Sequence, residues 1–396
     1  MRRTGGTRRE KGRLQTEGLK VETVEVSELG DAELALWRGF RAADPALASP
    51  YFDPRFVRIA GEAAPGARVA IIHERGAVRG FLPFQQRGGL VQPLAAPLSD
   101  FHGLVGEPGL SIASLLPRLP SVRRARFSGL VATDELDLPG LSPRRAMAAD
   151  LSRGFEAYLS GRDARFLKDK RRRRRVLERD HGPVTFAFER PTRAQVEHVV
   201  QRKRAQIART HQYDVFACGW TVDLLRRLAE HDAPDFGLRI ATLKAGDALV
   251  AAELGLTSGP RHHLWFPIYD PAYAKVSPGA LLTLDTLEAA VGQGITRIDF
   301  GVDADAYKHD FADPAEVVFE GVIERRVGSR GRAMRTIGTS RLARRFDRIV
   351  ACEPSLVGQI RGGSSFLAAM ARRHPRLGAG VGLGLGLGLG LALMVD

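Results

Sequence analysis

The stretch "YDPAYAKVSPGALLTLDTLEAAVGQGITRIDFGVDADAYKHDF", residues 269–311, reads in order as a turn, a helix, a strand and a loop. Ser277 stands where an N-cap belongs, and Pro278 follows at the first helical position, where its missing N–H costs nothing. The helix predicted from there ends at Gly294. "ITRIDFGV" then reads as a strand, with Asp299 towards its end. Residues 237–270, just upstream, hold three strands separated by the turns "KAGDA" and "TSGPR". Helices at 197–211 and 221–231 come before that meander. Helices segregated ahead of hairpin-linked strands predict an α/β (α+β) fold whose sheet is mixed and largely antiparallel, not doubly wound.

The first part of the chain repeats this order. Leu34, Leu36, Trp37 and Phe40 mark an amphipathic helix over 27–42, a second short helix starts near Pro54, and strands follow over 67–89. "RVAIIHERGAVRGFLPF" resembles "RIATLKAGDALVAAELG": strand, glycine-bearing turn, strand, each opening on an arginine and an apolar residue. Two similar halves are expected, at 21–138 and 162–326, joined by a linker at 139–161. Residues 1–20 read as a disordered basic arm without a secretory signal. Residues 327–396 read as a basic, then Gly/Leu-rich, low-complexity tail. Its last part, 377–395, is 19 uncharged residues, but the seven alternating glycines disfavour a spanning helix.

Net charge is +14, yet residues 1–20, 162–179 and 325–348 alone carry +5, +7 and +8. The remainder is therefore acidic by six, which is not the charge pattern of a general nucleic-acid-binding face. The run "KDKRRRRR" (168–175) has no apolar residue, so it reads as a solvated helix anchored by Phe166, Leu167, Val176 and Leu177. No aromatic residue interleaves those arginines to stack on bases. The only cysteines, Cys218 and Cys352, form neither a disulfide framework nor a zinc spacing, which suits a reducing compartment.

Three stretches together resemble the CelD/BcsL-type acetyltransferases, a GNAT-like family related in fold to the FemAB aminoacyl transferases. They are the arginine-rich helix with "GPVTFAFE" after it, "KRAQ" at 203–206, and the 269–311 stretch with its Tyr-Asp-Pro, Ser-Pro-Gly, Asp-Phe-Gly and Tyr-Lys elements. "PLSDFHG" (97–103) adds a fourth likeness, and the whole covers about residues 25–325. The resemblance implies two tandem GNAT-like halves around a shared cleft. It implies an N- or O-acyltransferase using acetyl-CoA or another acyl-CoA, with an amine or hydroxyl acceptor from cell-envelope or exopolysaccharide (cellulose-type) synthesis. A FemAB-type transfer from aminoacyl-tRNA is the alternative within that likeness, and a non-enzymatic basic nucleic-acid-binding protein is the alternative outside it. A cytoplasmic protein, or one at the inner face of the membrane with peripheral association, is the matching location.

Acyl transfer needs an anion site for the donor, a proton acceptor and a stabilised oxyanion. Backbone N–H groups of Ser277, Gly279 and Ala280 at the helix start are candidates for the donor phosphates, although the usual glycine-rich acetyl-CoA loop is absent. Asp299 and Glu253 are candidate bases, Tyr307 a proton donor to the leaving thiolate, and Lys308 a phosphate or oxyanion ligand. Asp100 and His102, two apart on one strand face, and His263, one of an oppositely pointing pair with His262, are candidates for the acceptor side. Arg171 and Arg175 would meet a phosphate-bearing substrate or glycan precursor, and tRNA is the one nucleic-acid partner that fits a transferase. No metal site is expected.

Overall fold

The computed structural model describes residues 18–132, 140–210, 212–231, 233–302, 306–325, 334–337 and 349–373. The first part comprises β1 (Leu19–Val24), α1 (Asp31–Ala43), α2 (Pro54–Ala63), β2 (Ala67–Glu74), β3 (Ala77–Arg87), β4 (Leu90–Pro93), β5 (Val105–Gly106), α3 (Ile112–Leu115), β6 (Arg124–Val131) and β7 (Ser142–Asp150). Then come α4 (Phe155–Ser160), α5 (Ala164–His181), β8 (Val184–Glu189), α6 (Arg193–Arg209), α7 (Trp220–Glu230), β9 (Phe236–Ala245), β10 (Ala248–Ser258) and β11 (Arg261–Tyr269). The chain continues through α8 (Pro278–Gly292), β12 (Arg297–Val302), β13 (Asp313–Arg325), β14 (Met334–Ile337) and α9 (Leu356–Arg373).

All the described strands join one mixed sheet, ordered β1-β2-β3-β4-β6-β13-β7-β12-β11-β10-β9-β8, with β5 beside β3 and β14 beside β13. Read from either edge, the pattern is the same. β1, β2, β3 and β4 pair antiparallel, β4 pairs parallel with β6, and β6 antiparallel with β13. From the other edge, β8, β9, β10 and β11 pair antiparallel, β11 parallel with β12, and β12 antiparallel with β7. The two hairpins that look alike in sequence, β2–β3 and β9–β10, hold equivalent places. The halves exchange their last strands: β7 precedes the second half yet completes its sheet, and β13 ends the second half yet completes the first. β7 and β13 then pair with each other and make the sheet continuous.

Helices cover both faces. One core layer spans the halves, with Trp37, Phe56 and Phe81 joined to Leu224, Leu225 and Phe236. A second lies under α8 around Leu281, Leu282 and Phe311, and a third fills the first half around Leu115, Leu116 and Phe127. Polar groups pin the halves together as well. The Asp53 carboxylate caps α2, pairs with Arg41 (3.1 Å) and Arg55 (2.8 Å), and accepts from the Ser258 hydroxyl at the end of β10 (2.6 Å). Burial raises its pKa, but these donors outweigh that and hold it below the usual carboxylate range.

Three expectations change. Residues 139–161 are not a linker: they contain β7, a central strand with Ala146, Met147, Ala148 and Ala149 buried, and α4. Residues 327–396 are not wholly an appendage. β14 extends the sheet, and Ile349, Ala351 and Cys352 are buried against both halves. Arg87 donates to the carbonyls of Val350 and Glu353, Gln92 to that of Ala351, and Trp220 Nε1 to that of Cys352 (2.8 Å). Cys352 forms a disulfide with Cys218, so the two cysteines are paired rather than isolated. The basic arm and the Gly/Leu run fall at residues 1–17 and 374–396, outside the described residues, while the arm's end at Leu19–Lys20 already belongs to β1.

Candidate functional site

β11 and β12 pair for only three residues, Arg261–His263 with Arg297–Asp299. Beyond that point β11 runs on to Tyr269, while β12 runs to Val302 beside β7. A bulge contributes to the divergence. Leu254 and Gly255 of β10 oppose Phe266 and Leu264, which leaves Trp265 as the extra residue in β11. The result is a wedge in the sheet, whose β11 side keeps backbone N–H and C=O groups that β12 does not pair. The α8 start follows β11 through a turn at Pro271–Val276.

That helix start is not capped as its sequence suggests. Ser277 is left-handed (φ 54°, ψ 57°), and its side chain makes no capping bond. Its N–H goes to the Ala274 carbonyl, and the Ala280 N–H goes back to Ser277. Of the three expected anion donors, two are therefore engaged within the turn. The Gly279 amide is the one without such a bond, and a Cβ there would meet nothing within 4 Å, so space lies open beside it.

The basic helix α5 lies along this turn. Asp163 caps it, Phe166 packs edge-on to Phe311 at 5.1 Å, and Leu177 is fully buried, so the expected apolar anchors at both ends of the run are in use. Its face is not uniformly solvated. Arg173 donates to the Lys275 carbonyl, and Arg174 makes a two-pronged bond to Asp285 of α8 (2.6 and 2.8 Å). Arg172 turns to Asp169, and Arg171 and Arg175 are exposed.

Glu253 on β10 is buried opposite Pro267 of β11. Burial pushes its carboxyl up to about 8, against the opposing pull of Lys203 and Lys308. Lys203, from the "KRAQ" segment of α6, donates to the Pro267 carbonyl at 3.1 Å, and burial lowers its pKa. Lys308 is buried in the turn after β12, whereas its neighbour Tyr307 is half exposed. Lys203 is the residue sequence reasoning left off the site. Its only signal was membership of the "KRAQ" motif, because the contact between α6 and β11 is tertiary.

Asp299 does not join Lys308. It faces a narrow crevice between the halves, lined by Pro45, Ser49, Phe101, Arg261, Asp299 and Glu316. Burial raises its pKa in spite of Arg297 at 2.8 Å, His263 and Arg261. His263 sits in register with Asp299, fully buried, with Nε2 3.0 Å from Asp100 Oδ2 and no partner for Nδ1. Tyr51 and Phe101 pack edge-on to its ring at 5.1 and 5.7 Å. Gly301 (φ +77°) closes this corner, since a Cβ there would lie 2.7 Å from Asp100 Oδ2. The "DFG" element thus sends Asp299 to the crevice and Phe300 to the core, and leaves room at Gly301 for the Asp100 carboxylate. A larger depression in the first half, lined by Gly66, Arg68 and Arg123, holds none of these groups.

Asp100 and His102 do not share a face. Asp100 reaches His263, while His102 is buried against Phe127, its pKa pushed down to about 3 by burial. His102 belongs to the first half's interior, not the crevice. His262 is also a core residue on the far face. It sits against Phe188 with its Nδ1 2.7 Å from the Thr257 hydroxyl, and burial pushes its pKa down to about 3. Among the described residues, no group of three or more His, Cys, Asp or Glu could hold a metal ion, and no helix is long and apolar enough to cross a membrane.

Residues 164–309, from α5 to the turn carrying Lys308, match the family model described as acetyltransferase (GNAT) domain. No curated protein matches the chain. Among solved structures, a tandem GNAT protein from the clavulanic acid biosynthesis pathway is similar at 13 % identity, covering 77 % of this chain and 98 % of that one, with a TM-score of 0.47. FemX is similar at 11 % identity, with 75 % and 96 % covered and a TM-score of 0.47. The C-terminal domain of a putative lysylphosphatidylglycerol synthetase from Agrobacterium fabrum is similar at 12 % identity, with 74 % and 91 % covered and a TM-score of 0.42.

Proposed function

We propose that this protein transfers an acyl group from acyl-CoA to an amine or hydroxyl of a cell-envelope or exopolysaccharide precursor. The observation that carries the reading is the β11–β12 wedge within the segment that matches a GNAT acetyltransferase domain. The open edge of β11 can hydrogen-bond the amides of an extended pantetheine arm, as a sheet edge bonds a peptide. The α8 start then meets the donor's phosphates through the Gly279 amide and the helix dipole, and the exposed Arg171 and Arg175 of α5 add a basic field.

The buried groups fit the transfer step. The acceptor nitrogen or oxygen attacks the thioester carbon, forming the new C–N or C–O bond. The Lys308 ammonium stabilises the oxyanion, and Lys203 adds to that field. The Glu253 carboxylate takes the acceptor's proton and delivers it to the sulfur as the C–S bond breaks, so one proton moves and none is lost. The acceptor reaches this point from the crevice between the halves, where Asp100, His263 and Asp299 can hold its polar groups.

The direct test follows release of the CoA thiol with a panel of amine and sugar acceptors. Glu253→Gln should lower kcat by roughly 10²–10⁴-fold, and Lys308→Ala by roughly 10²–10³-fold. The wild-type rate should rise with pH through about 8, where Glu253 loses its proton, and Glu253→Gln should lack that limb. Wild-type rates in both variants would contradict the assignment. The exposed arginines of α5 favour one second reading, an aminoacyl-tRNA donor, since they can contact a phosphate backbone without reading sequence. Binding of aminoacyl-tRNA without binding of any acyl-CoA would favour that donor.

A further inference from the structure

The first turns of helix α9 are packed the wrong way round for a helix in water. Its inward face is small: Gly358, Gly362 and Gly363 are buried, with Phe366. A Cβ on Gly362 would fall 2.8 Å from Ile349 and 3.1 Å from the Tyr213 ring, so the glycine is what lets the helix sit this close. The first turns of its outward side are large and apolar, and Arg361, Ser364 and Ser365 are exposed after them. Leu356, Val357 and Ile360 are 50 %, 76 % and 50 % exposed, and Ile360, three residues from Val357 and four from Leu356, joins them on one side of the helix. Burial in water favours the opposite arrangement, with the large side chains inward. The disulfide to Cys218 and the hydrogen bonds to residues 350–353 fix the segment that leads into the helix, so the outward face is held in place.

We propose that this outer face of α9 docks on an anionic lipid bilayer. The charge around it selects that partner. From Leu356 to Val395 there is no Asp or Glu, while Arg361, Arg372, Arg373 and Arg376 all lie in that span. A second copy of the chain would set these arginines against one another, whereas an anionic surface pairs them with lipid headgroups. The chain beyond the helix adds to the case, since residues 377–395 are uncharged and alternate glycine with leucine or other apolar residues. An apolar patch next to an exposed arginine, here Arg361, within a segment whose only charges are basic is the pattern of a helix lying in the interface plane. The inference is independent of the acyl-transfer reading, because no residue of the wedge takes part.

The test is co-sedimentation of the full-length chain with vesicles of phosphatidylglycerol and phosphatidylcholine, against vesicles of phosphatidylcholine alone. Binding is expected to the anionic vesicles and to weaken with added salt. Val357→Glu combined with Ile360→Glu should reduce it by about tenfold or more. Both side chains are exposed, so an unchanged melting temperature checks the fold, and Ser364→Glu on the exposed side repeats the test without removing an apolar group. Three results overturn the proposal. One is no binding to either vesicle. Another is binding lost when residues 374–396 are removed but untouched by the glutamate substitutions. The third is a dimer broken by those substitutions in a chain that ignores vesicles.

Discussion

Glu253 shows how much a single buried carboxyl can carry. Its inward direction was legible, because Leu254 beside it had to point to the opposite face of β10. Its partners were not, since Lys203 comes from α6 and Lys308 from the turn after β12. Its ordinary pKa is 4.5 and in the folded chain burial lifts it to about 8. The folded chain thus keeps a proton that the unfolded chain releases. This contribution to stability is complete below the unfolded value and is lost as pH rises through the folded one. Asp299, also raised by burial, acts in the same direction. Between pH 4.5 and about 8, wild-type stability should fall against that of Glu253→Gln, by about 1.4 kcal/mol per pH unit at most. Denaturant unfolding across that range checks it, and parallel pH profiles for the two proteins would contradict it.

At the scale of elements, α8 was read almost to the residue, because a Pro at its first position and a Gly after its last are local signals. Its cap was misread, because the preceding turn at Pro271–Val276 delivers Ser277 in a left-handed conformation that no local pattern announces. β7 was missed altogether. "SPRRAMAAD" has two arginines and few β-branched residues, and it becomes a strand only because β12 and β13 pair on either side of it. Residues 349–353 were hidden in the same way, within an arginine-rich stretch that reads as a tail. Ending the chain after residue 326 would uncover Trp220, Arg87 and Gln92 and remove the cross-link to Cys218. That truncation should cost roughly 2–5 kcal/mol. A melting temperature equal to that of the full chain would show that the C-terminal segment is not part of the folded body.

For the whole molecule, the weak likeness between two hairpins pointed to two halves of one plan, and strand order and pairing now match across the sheet. What the sequence did not reveal is the exchange of β7 and β13, which makes the halves one continuous sheet and sets the crevice at their junction. The same exchange separates two groups of ionisable residues that looked like one. Asp299 faces the crevice with His263 and Asp100, while Glu253 is buried on β10 under the influence of the Lys203 and Lys308 charges. The central claim is that an acyl-CoA lies in the wedge, with its arm along β11 and its phosphates at the start of α8. Amide hydrogen exchange with and without a non-hydrolysable acyl-CoA tests this most directly. Slowed exchange at Gly279 and at the β11 amides that face the wedge and not β10, Tyr269 among them, is the predicted result. Unchanged exchange there, with protection confined to α5 or absent altogether, would contradict it.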